Sequence, residues 1–327
     1  MLEGKHILIT GGAGFIGTAL TERLVDRNTI ALYDCQFEGM PVSYSLVAGH
    51  PNVRTVRGDV RNYELLAREV EKAQIVIHLA AIVGVSNVLR NGRETIEVIV
   101  LGTSNVLRAA ALNRTLERLV YLSTSEVFGL SSYRAHEDSH PTFGPVTEAR
   151  WTYSIAKLTG EHLAHSYHVE AGLPTVIIRP FNIFGPKRLG DHAMLRFIVN
   201  ALQNKELEIH GDGSQIRSWC YIDDFCDGVM ATLARDEAAG EDFNLGCVEN
   251  TVTIYDLAQR VIRLCESSSE IRFTQITFTD IDVRVPRLDK AKRLLGYDPH
   301  RSLEEGIMST IEWYREHLDA AVHGLAR

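Results

Sequence analysis

The chain has 327 residues, of which 45% are hydrophobic and 23% charged, values typical of a globular protein with one large or two smaller domains. Its formal net charge of −8 argues against nucleic acid as the main partner, because a phosphate backbone requires a basic surface. The five cysteines form no Cys-x-x-Cys pair, and neither a signal peptide nor an apolar run of membrane-spanning length is predicted, so we expect a reduced, cytoplasmic protein with no membrane partner.

The first predicted unit is a strand, a glycine turn and a helix. A short apolar run at residues 6–10 leads into Gly11-Gly12-Ala13-Gly14-Phe15-Ile16-Gly17, and a helical pattern follows at 18–26. Gly11 allows the tight turn, Gly14 lets a pyrophosphate approach the main chain, and Gly17 allows close helix–strand packing. The helix N-terminus offers N–H groups to the phosphates. The predicted phosphate-binding residues are Gly11, Gly14, Phe15, Ile16 and Gly17.

A second strand, at 29–33, ends in Asp34. An acid at this point can accept both ribose hydroxyls and repels a 2′-phosphate, so the sequence favours NAD over NADP. Further strands are predicted at 53–57, 74–79 and 119–122, and helices at 63–71 and 95–113. This alternation predicts an α/β, Rossmann-type doubly wound parallel sheet, whose strands bind ligands at their carboxyl ends. The other predicted cofactor-binding residues are therefore Asp59, Val60, Leu79, Ala80 and Ala81.

The strand at 119–122 is followed by Ser123-Thr124-Ser125-Glu126, and Tyr153-x-x-x-Lys157 begins 27 residues after Glu126. On a helix, residues four apart share a face, so we expect the ammonium of Lys157 to lie beside the phenol of Tyr153. A nearby cation favours the phenolate and so lowers the pKa of a tyrosine. Such a tyrosine can act as a base toward an alcohol.

These motifs, with Arg179-Pro180-Phe181-Asn182 and Gly185-Pro186, resemble the extended short-chain dehydrogenase/reductases that modify nucleotide sugars. The resemblance covers nearly the whole chain and implies an NAD-dependent enzyme acting on a nucleotide sugar, with a UDP-sugar as the expected substrate. It also implies a catalytic triad of Thr124, Tyr153 and Lys157. In that family the tyrosine takes a proton from the C4 hydroxyl while hydride passes to NAD, and the lysine also holds the nicotinamide ribose.

The pair Ser125-Glu126 and the segment 144–154 are similar to those of UDP-glucuronate decarboxylases. This similarity implies loss of the C5 carboxylate after C4 oxidation, with Ser125 and Glu126 as further catalytic residues. Three alternatives remain open: a UDP-sugar 4-epimerase, a nucleotide-sugar 4,6-dehydratase and a non-catalytic NAD-binding sensor. The apolar loop at 82–86 departs from the decarboxylase pattern.

We expect residues 1–180 to form the NAD-binding Rossmann domain and residues 181–327 to form mainly a nucleotide-sugar-binding lobe, with some segments returning to the first domain. The predicted substrate-binding residues are Arg150, Asn182, Arg217 and Arg284. Arg150 faces a substrate carboxylate or is a surface arginine at a helix start. Three histidines spaced three apart, His162, His165 and His168, lack a further ligand at metal-binding spacing, so no metal is expected. Family members commonly form homodimers through the helices near 95–112 and 150–170.

Overall fold

The computed structural model describes residues 2–190, 192–275 and 279–325 of the chain. The strands β1 to β15 span His6–Thr10, Thr29–Asp34, Val53–Arg57, Ile75–His78, Arg118–Leu122, Tyr133–Ala135, Thr175–Pro180, Ile183–Phe184, Leu207–His210, Ile216–Ser218, Cys220–Tyr221, Asp242–Leu245, Thr251–Thr253, Ile271–Thr274 and Val283–Pro286. The helices α1 to α12 span Phe15–Leu24, Tyr63–Glu71, Val85–Arg90, Gly92–Ile96, Gly102–Leu112, Thr152–Ala171, Ala193–Leu202, Ile222–Ala234, Ile254–Cys265, Asp289–Leu295, Leu303–Glu316 and Leu318–Leu325.

Seven strands form one sheet in the order β12-β7-β5-β4-β1-β2-β3, and all neighbouring pairs in it are parallel. Strands β4 and β5 are buried at every position, because helices cover both faces of the sheet. This arrangement confirms the predicted Rossmann-type doubly wound fold. The strand order reverses between β1 and β4, and the crevice at their carboxyl ends is where such a sheet binds its ligands.

A smaller sheet of four strands, in the order β13-β10-β15-β6, joins distant parts of the chain. The parallel pairing of β10 with β15 makes Arg217 and Arg284 direct neighbours. The strand β12 lies beside β7 in the large sheet, although about 60 residues of chain separate them. Strands of three or four residues carry too little periodicity to be read from the sequence, and the smaller sheet was not predicted.

The predicted helix at 95–113 is part of a longer continuous segment, Gly92–Leu112, which combines α4, a π-helical turn and α5. By length and composition alone, these 21 residues are long and apolar enough to cross a membrane. This finding corrects the expectation that no apolar stretch reaches that length. The segment packs against α2 and α6, and a helix packed in a protein core passes the same test.

Candidate active site

The carboxyl ends of the central strands open into a cleft of about 580 Å³. Every residue predicted to bind the cofactor lines it, namely Gly11, Gly14, Phe15, Ile16, Gly17, Asp34, Asp59, Val60, Leu79, Ala80, Ala81, Tyr153 and Lys157. Thr124, Ser125, Glu126, Arg150, Asn182 and Arg284 line it as well. Arg217 is not part of the wall but adjoins Arg284 through the pairing of β10 with β15. The fold therefore brings the predicted cofactor, catalytic and substrate residues to one place.

Two glycines, one in the loop after β1 and one in the first turn of α1, could not be replaced by another residue without movement of the main chain. Gly11 has a φ of +68°, and a Cβ at this position would lie 2.8 Å from the main-chain nitrogen of Ala80. A Cβ on Gly17 would lie 2.7 Å from the Cα of Gly12. Helix α1 begins directly after Gly14, which has no side chain to cap it, so the first-turn N–H groups face the cleft side of the loop as donors for an anion.

Asp34 ends β2 at the wall of the cleft. Its carboxylate accepts hydrogen bonds from the main-chain N–H groups of Ala13 at 3.1 Å and Gln36 at 3.2 Å. Burial raises the pKa of Asp34, and these hydrogen bonds oppose that rise. A negatively charged acceptor thus stands next to the glycine loop, in the position that ribose recognition requires.

Helix α6 carries Tyr153 and Lys157 one turn apart. The Thr124 hydroxyl lies near the phenol of Tyr153 and lowers its pKa. The Lys157 ammonium donates to the main-chain carbonyl of Leu122 at 2.6 Å and lies 5.1 Å from the centre of the Tyr121 ring. The three residues of the predicted triad therefore meet where β5 ends and α6 passes over it.

The prediction that the Lys157 ammonium lowers the pKa of Tyr153 is wrong. Burial raises the pKa of Tyr153 above its ordinary value, and the carboxylate of Glu126 raises it further. The neighbouring threonine hydroxyl and the charges of Arg188 and Arg284 lower it only in part. The cations that favour the phenolate are thus arginines, and burial lowers the pKa of Lys157 itself to about 7.

Glu126 is held between two guanidinium groups. Its Oε2 lies 2.6 Å from Nη1 of Arg150, and its Oε1 lies 3.3 Å from Nη1 of Arg284. Burial by itself raises the pKa of Glu126, but the two arginines outweigh it and lower the pKa to about 2. The carboxylate is therefore ionised at neutral pH. With so low a pKa it is also a weak base.

Arg217 extends this cluster, with its Nη2 3.1 Å from Oδ1 of Asp280. Burial lowers the pKa of Arg217 to about 10, and the nearby charges of Arg284 and Arg150 also lower it. Among the residues that the structure describes, the Nε atoms of Arg150 and Arg284 are buried without a hydrogen-bond partner. Three guanidinium groups share the two carboxylates of Glu126 and Asp280, so the cluster has an excess of positive charge and donors suited to an anion.

Asn182 and Ser125 are fixed by local backbone structure. The side-chain amide of Asn182 donates to the Ser218 carbonyl at 2.8 Å, and the main chain of Asn182 has a φ of +42°, a conformation that asparagine tolerates. Ser125 is buried at the start of the short 3₁₀ turn Ser125–Phe128. The Thr124 side chain caps this turn by accepting from the N–H of Glu126. The turn thereby places three consecutive polar residues at the cleft.

Two further cleft residues, Arg188 and His192, were not predicted. The Arg188 guanidinium donates to the Ile183 carbonyl at 3.2 Å and lies 5.4 Å from the centre of the Phe15 ring. Burial lowers the pKa of Arg188 to about 10. The pair Gly185-Pro186, which indicated only an irregular stretch, stands two residues before this arginine and was the signal available in the sequence.

One of the three histidines on α6 contacts the main chain. His168 Nδ1 lies 2.9 Å from the Leu173 carbonyl, in the turn that follows the helix. Across residues 2–190, 192–275 and 279–325, no group of three or more His, Cys, Asp or Glu side chains could hold a metal ion.

Comparison with protein families matches residues 7–246 to the NAD dependent epimerase/dehydratase family. A UDP-N-acetyl-alpha-D-glucosaminuronate decarboxylase of Bacillus cytotoxicus is 34% identical over 322 residues, which are 95% of this chain and 98% of that protein. UDP-glucuronic acid decarboxylase 1 of Xenopus tropicalis is 33% identical over 97% of this chain and 74% of its own.

Among solved structures, UDP-glucuronic acid 4-epimerase from Bacillus cereus, in complex with UDP-glucuronic acid and NAD, superposes with a TM-score of 0.87. The two sequences are 29% identical, and the match covers 95% of this chain and 99% of the other.

Proposed function

Because this chain belongs to the NAD-dependent epimerase/dehydratase family, we propose that it oxidises C4 of UDP-glucuronate and then releases the C5 carboxylate as carbon dioxide. The product is UDP-xylose or the corresponding 4-keto pentose. The observation that carries this proposal is the pairing of Glu126 with Arg150 and Arg284 in the cleft that also holds Tyr153 and Lys157. Relatives named as decarboxylases of UDP-linked uronic acids, at 33–34% identity over nearly the whole chain, support it.

The cleft fits NAD in its shape and its charge. The glycine loop packs directly on the strand end beside it, because a Cβ on Gly11 would touch the main chain of Ala80. The open N-terminus of α1 suits the phosphates, and Asp34 suits a ribose with two free hydroxyls. Asp59, Val60 and the segment 79–81 complete the proposed cofactor wall. When bound, NAD accepts a hydride from C4 and brings a positive charge that adds to the arginines in favouring the Tyr153 phenolate.

Tyr153 is the proposed base for the first step. Its phenolate takes the proton of the C4 hydroxyl as the C4–H bond gives up its hydride, and Thr124 holds the same hydroxyl. Lys157, which also lines the cleft, would hold the nicotinamide ribose. The resulting 4-keto uronate is a β-keto acid, so its C5–carboxylate bond can break with the electron pair moving toward the C4 oxygen. Carbon dioxide leaves and a proton returns to C5, which gives the 4-keto pentose; UDP-xylose would form only if the hydride also returned to C4.

The arginine cluster is the proposed binding site for the anionic parts of the substrate. We place the diphosphate near Arg217 and Arg284, and the uronate carboxylate near Arg150, whose Nε is buried and unpaired among the described residues. Positive charge here also stabilises the enolate that forms as carbon dioxide departs. Since Glu126 stays ionised, we assign it no proton transfer: it orients the guanidinium groups of Arg150 and Arg284.

UDP-glucuronate 4-epimerase is the second candidate, and one observation favours it. The loop at 82–86 presents Ile82, Val83 and Val85 to the cleft, and such an apolar wall offers room for a ring to turn but no polar group to fix it. Because the Bacillus cytotoxicus relative is named as a decarboxylase of an N-acetylated uronate, that sugar nucleotide is a further substrate to test.

The test is a panel of substrates followed by mass spectrometry. The protein is incubated with NAD and, separately, UDP-glucuronate, its 2-N-acetyl counterpart, UDP-glucose and GDP-mannose. Our proposal predicts that a uronate loses the mass of carbon dioxide. Loss of one water from a neutral sugar would instead support a dehydratase, and an unchanged mass with altered NMR couplings would support an epimerase.

Asp34 sets the proposed preference for NAD. Replacing it with asparagine should weaken NAD binding about tenfold to 100-fold, because hydrogen bonds to a charged acceptor are worth roughly 1.5–3 kcal/mol. NADP binding should improve, since the repulsion of a 2′-phosphate is removed. Fluorescence titration with NADH and NADPH measures both changes. Unaltered discrimination between the two dinucleotides would remove Asp34 from ribose recognition.

We further propose a homodimer built on the helical segment Gly92–Leu112 and α6. Only 44% of the most apolar stretch of that segment is buried. Large exposed apolar side chains on the two helices are Ile96, Leu101, Leu112, Ile155 and Val169. Leu101→Glu should halve the mass seen by light scattering, because a charge would be buried at the interface. Leu46→Glu, at a more exposed site elsewhere, should leave it unchanged. A wild-type monomer would contradict the dimer.

A further inference from the structure

Three successive residues at the carboxyl end of β5 contact three residues that are four apart on α6. The contacts are Leu122 with Lys157, Ser123 with Glu161, and Thr124 with Tyr153. Positions four apart lie on one face of a helix, so strand and helix are joined at each turn along this face. Two of the three contacts involve the proposed triad, whereas the third, from the Ser123 hydroxyl to the Glu161 carboxylate, has no role in the chemistry described so far.

Glu161 is fixed in place by a guanidinium from the neighbouring strand β7. Arg179 donates from Nε to Oε1 of Glu161 at 2.9 Å and from Nη2 to Oε2 at 2.6 Å. Both side chains are buried, with Glu161 only 4% exposed. Arg179 is held in turn by the Glu137 carbonyl at 2.9 Å and the Asp242 carboxylate at 2.9 Å. A two-pronged pair of this kind restricts the position of the Glu161 carboxylate.

We propose that Glu161 is a positioning residue, which fixes the end of β5 against α6 through Ser123 and keeps the neighbouring Lys157 in its ammonium form. This proposal rests on the proposed function only for the roles of Tyr153 as the base and of Lys157 as a cofactor-binding residue. It assigns to Glu161 no contact with substrate or cofactor.

The charges around Lys157 agree with this role. Burial lowers the pKa of Lys157 to about 7, and Glu161 acts in the opposite direction. On β4, His78 is neutral, because burial lowers its pKa to about 3. The phenols of Tyr121 on β5 and of Tyr153 are also neutral, since burial raises their pKa values. The ammonium form therefore prevails below about pH 7 and is lost above it, and removing the Glu161 charge should move that loss to lower pH.

The test is Glu161→Gln, which keeps the shape of the side chain and one acceptor oxygen but removes the charge. Two pH profiles are measured. One is kcat with the sugar nucleotide that the wild-type protein turns over, and the other is the affinity for NADH, followed by nicotinamide fluorescence. We expect the alkaline limb of both profiles to move down by about one pH unit, as for loss of an opposite charge within one helical turn. At pH 7 this shift lowers kcat about fivefold, while KM for the sugar nucleotide changes little.

Ser123→Ala is the matched variant, because it breaks the link to β5 and keeps every charge. Its alkaline limb should stay at the wild-type pH, while kcat falls about threefold to tenfold, the worth of one hydrogen bond. If Glu161→Gln does not fold, the double variant Glu161→Gln/Arg179→Gln leaves no unpaired guanidinium in the interior and takes its place.

An alkaline limb at the wild-type pH in the glutamine variant would overturn the electrostatic role of Glu161. Wild-type kcat in Ser123→Ala would overturn its alignment role. If the wild-type protein turns over none of the sugar nucleotides, the proposed function fails. In that case the NADH-binding profile still decides whether Glu161 maintains the charge of Lys157.

Discussion

Replacing Tyr153 with phenylalanine is expected to lower kcat for UDP-glucuronate by about 10³-fold, within the range of about 10²–10⁴ for loss of a general acid–base group. The ring stays, so KM and NADH affinity should change little. What is lost is the hydroxyl that lies near Thr124 and that responds to the charges of Glu126, Arg188 and Arg284. Steady-state rates and a fluorescence titration with NADH measure the two effects separately.

Tyr167→Phe is the control on the same helix. The Tyr167 ring packs against the buried cluster that contains Tyr121 and Ile177, and it lies two turns or more from the cleft residues of α6. We expect wild-type turnover from this variant. If Tyr153→Phe retained more than about a tenth of the wild-type kcat, a general base elsewhere would have to perform the C4 oxidation.

Glu126→Gln should reduce the release of carbon dioxide about 100-fold. A neutral amide cannot balance both Arg150 and Arg284, and removing one partner of a buried ion pair leaves uncompensated charge that costs about 3–5 kcal/mol. The guanidinium groups would then reorganise around the substrate. C4 oxidation depends on Tyr153, so reduced nicotinamide should accumulate in a single turnover. Because Glu126 raises the pKa of Tyr153, its removal should also move the acid limb of C4 oxidation to lower pH.

The control for this change is Glu117→Gln. Glu117 directly precedes β5, at the end opposite the cleft, and pairs with Lys5 at 2.7 Å. The control variant should release carbon dioxide at the wild-type rate. An equal rate in Glu126→Gln would remove Glu126 from the chemistry at C5.

The parts of the site that the sequence predicts are those built from local signals. A strand, a glycine loop and a helix occupy neighbouring residues, so the phosphate-binding loop from Gly11 to Gly17 could be read directly. Asp34 at the end of β2 and the Tyr153–Lys157 face of α6 follow from strand length and helical spacing. The seven-stranded sheet follows from the alternation of buried strands and helices.

The arginine cluster depends on contacts that no local pattern encodes. Arg150, Arg217 and Arg284 come from three distant segments, and the short strands β10 and β15 bring the last two together. Arg188 was missed because it lies in an irregular stretch. The pKa of Tyr153 was expected to be low because the helical spacing predicts Lys157 as its neighbour. That spacing does not show the burial of the phenol, which is the largest cause of the pKa shift.

The most direct measurement is a single turnover of UDP-glucuronate carrying an isotopic label in its carboxyl group, with the enzyme and NAD in excess. The prediction is that the label leaves as carbon dioxide, one molecule for each substrate consumed, and that Tyr153→Phe slows this release about 10³-fold. A label that remains in a UDP-linked sugar after the substrate has been consumed would contradict the decarboxylation that we propose for this cleft.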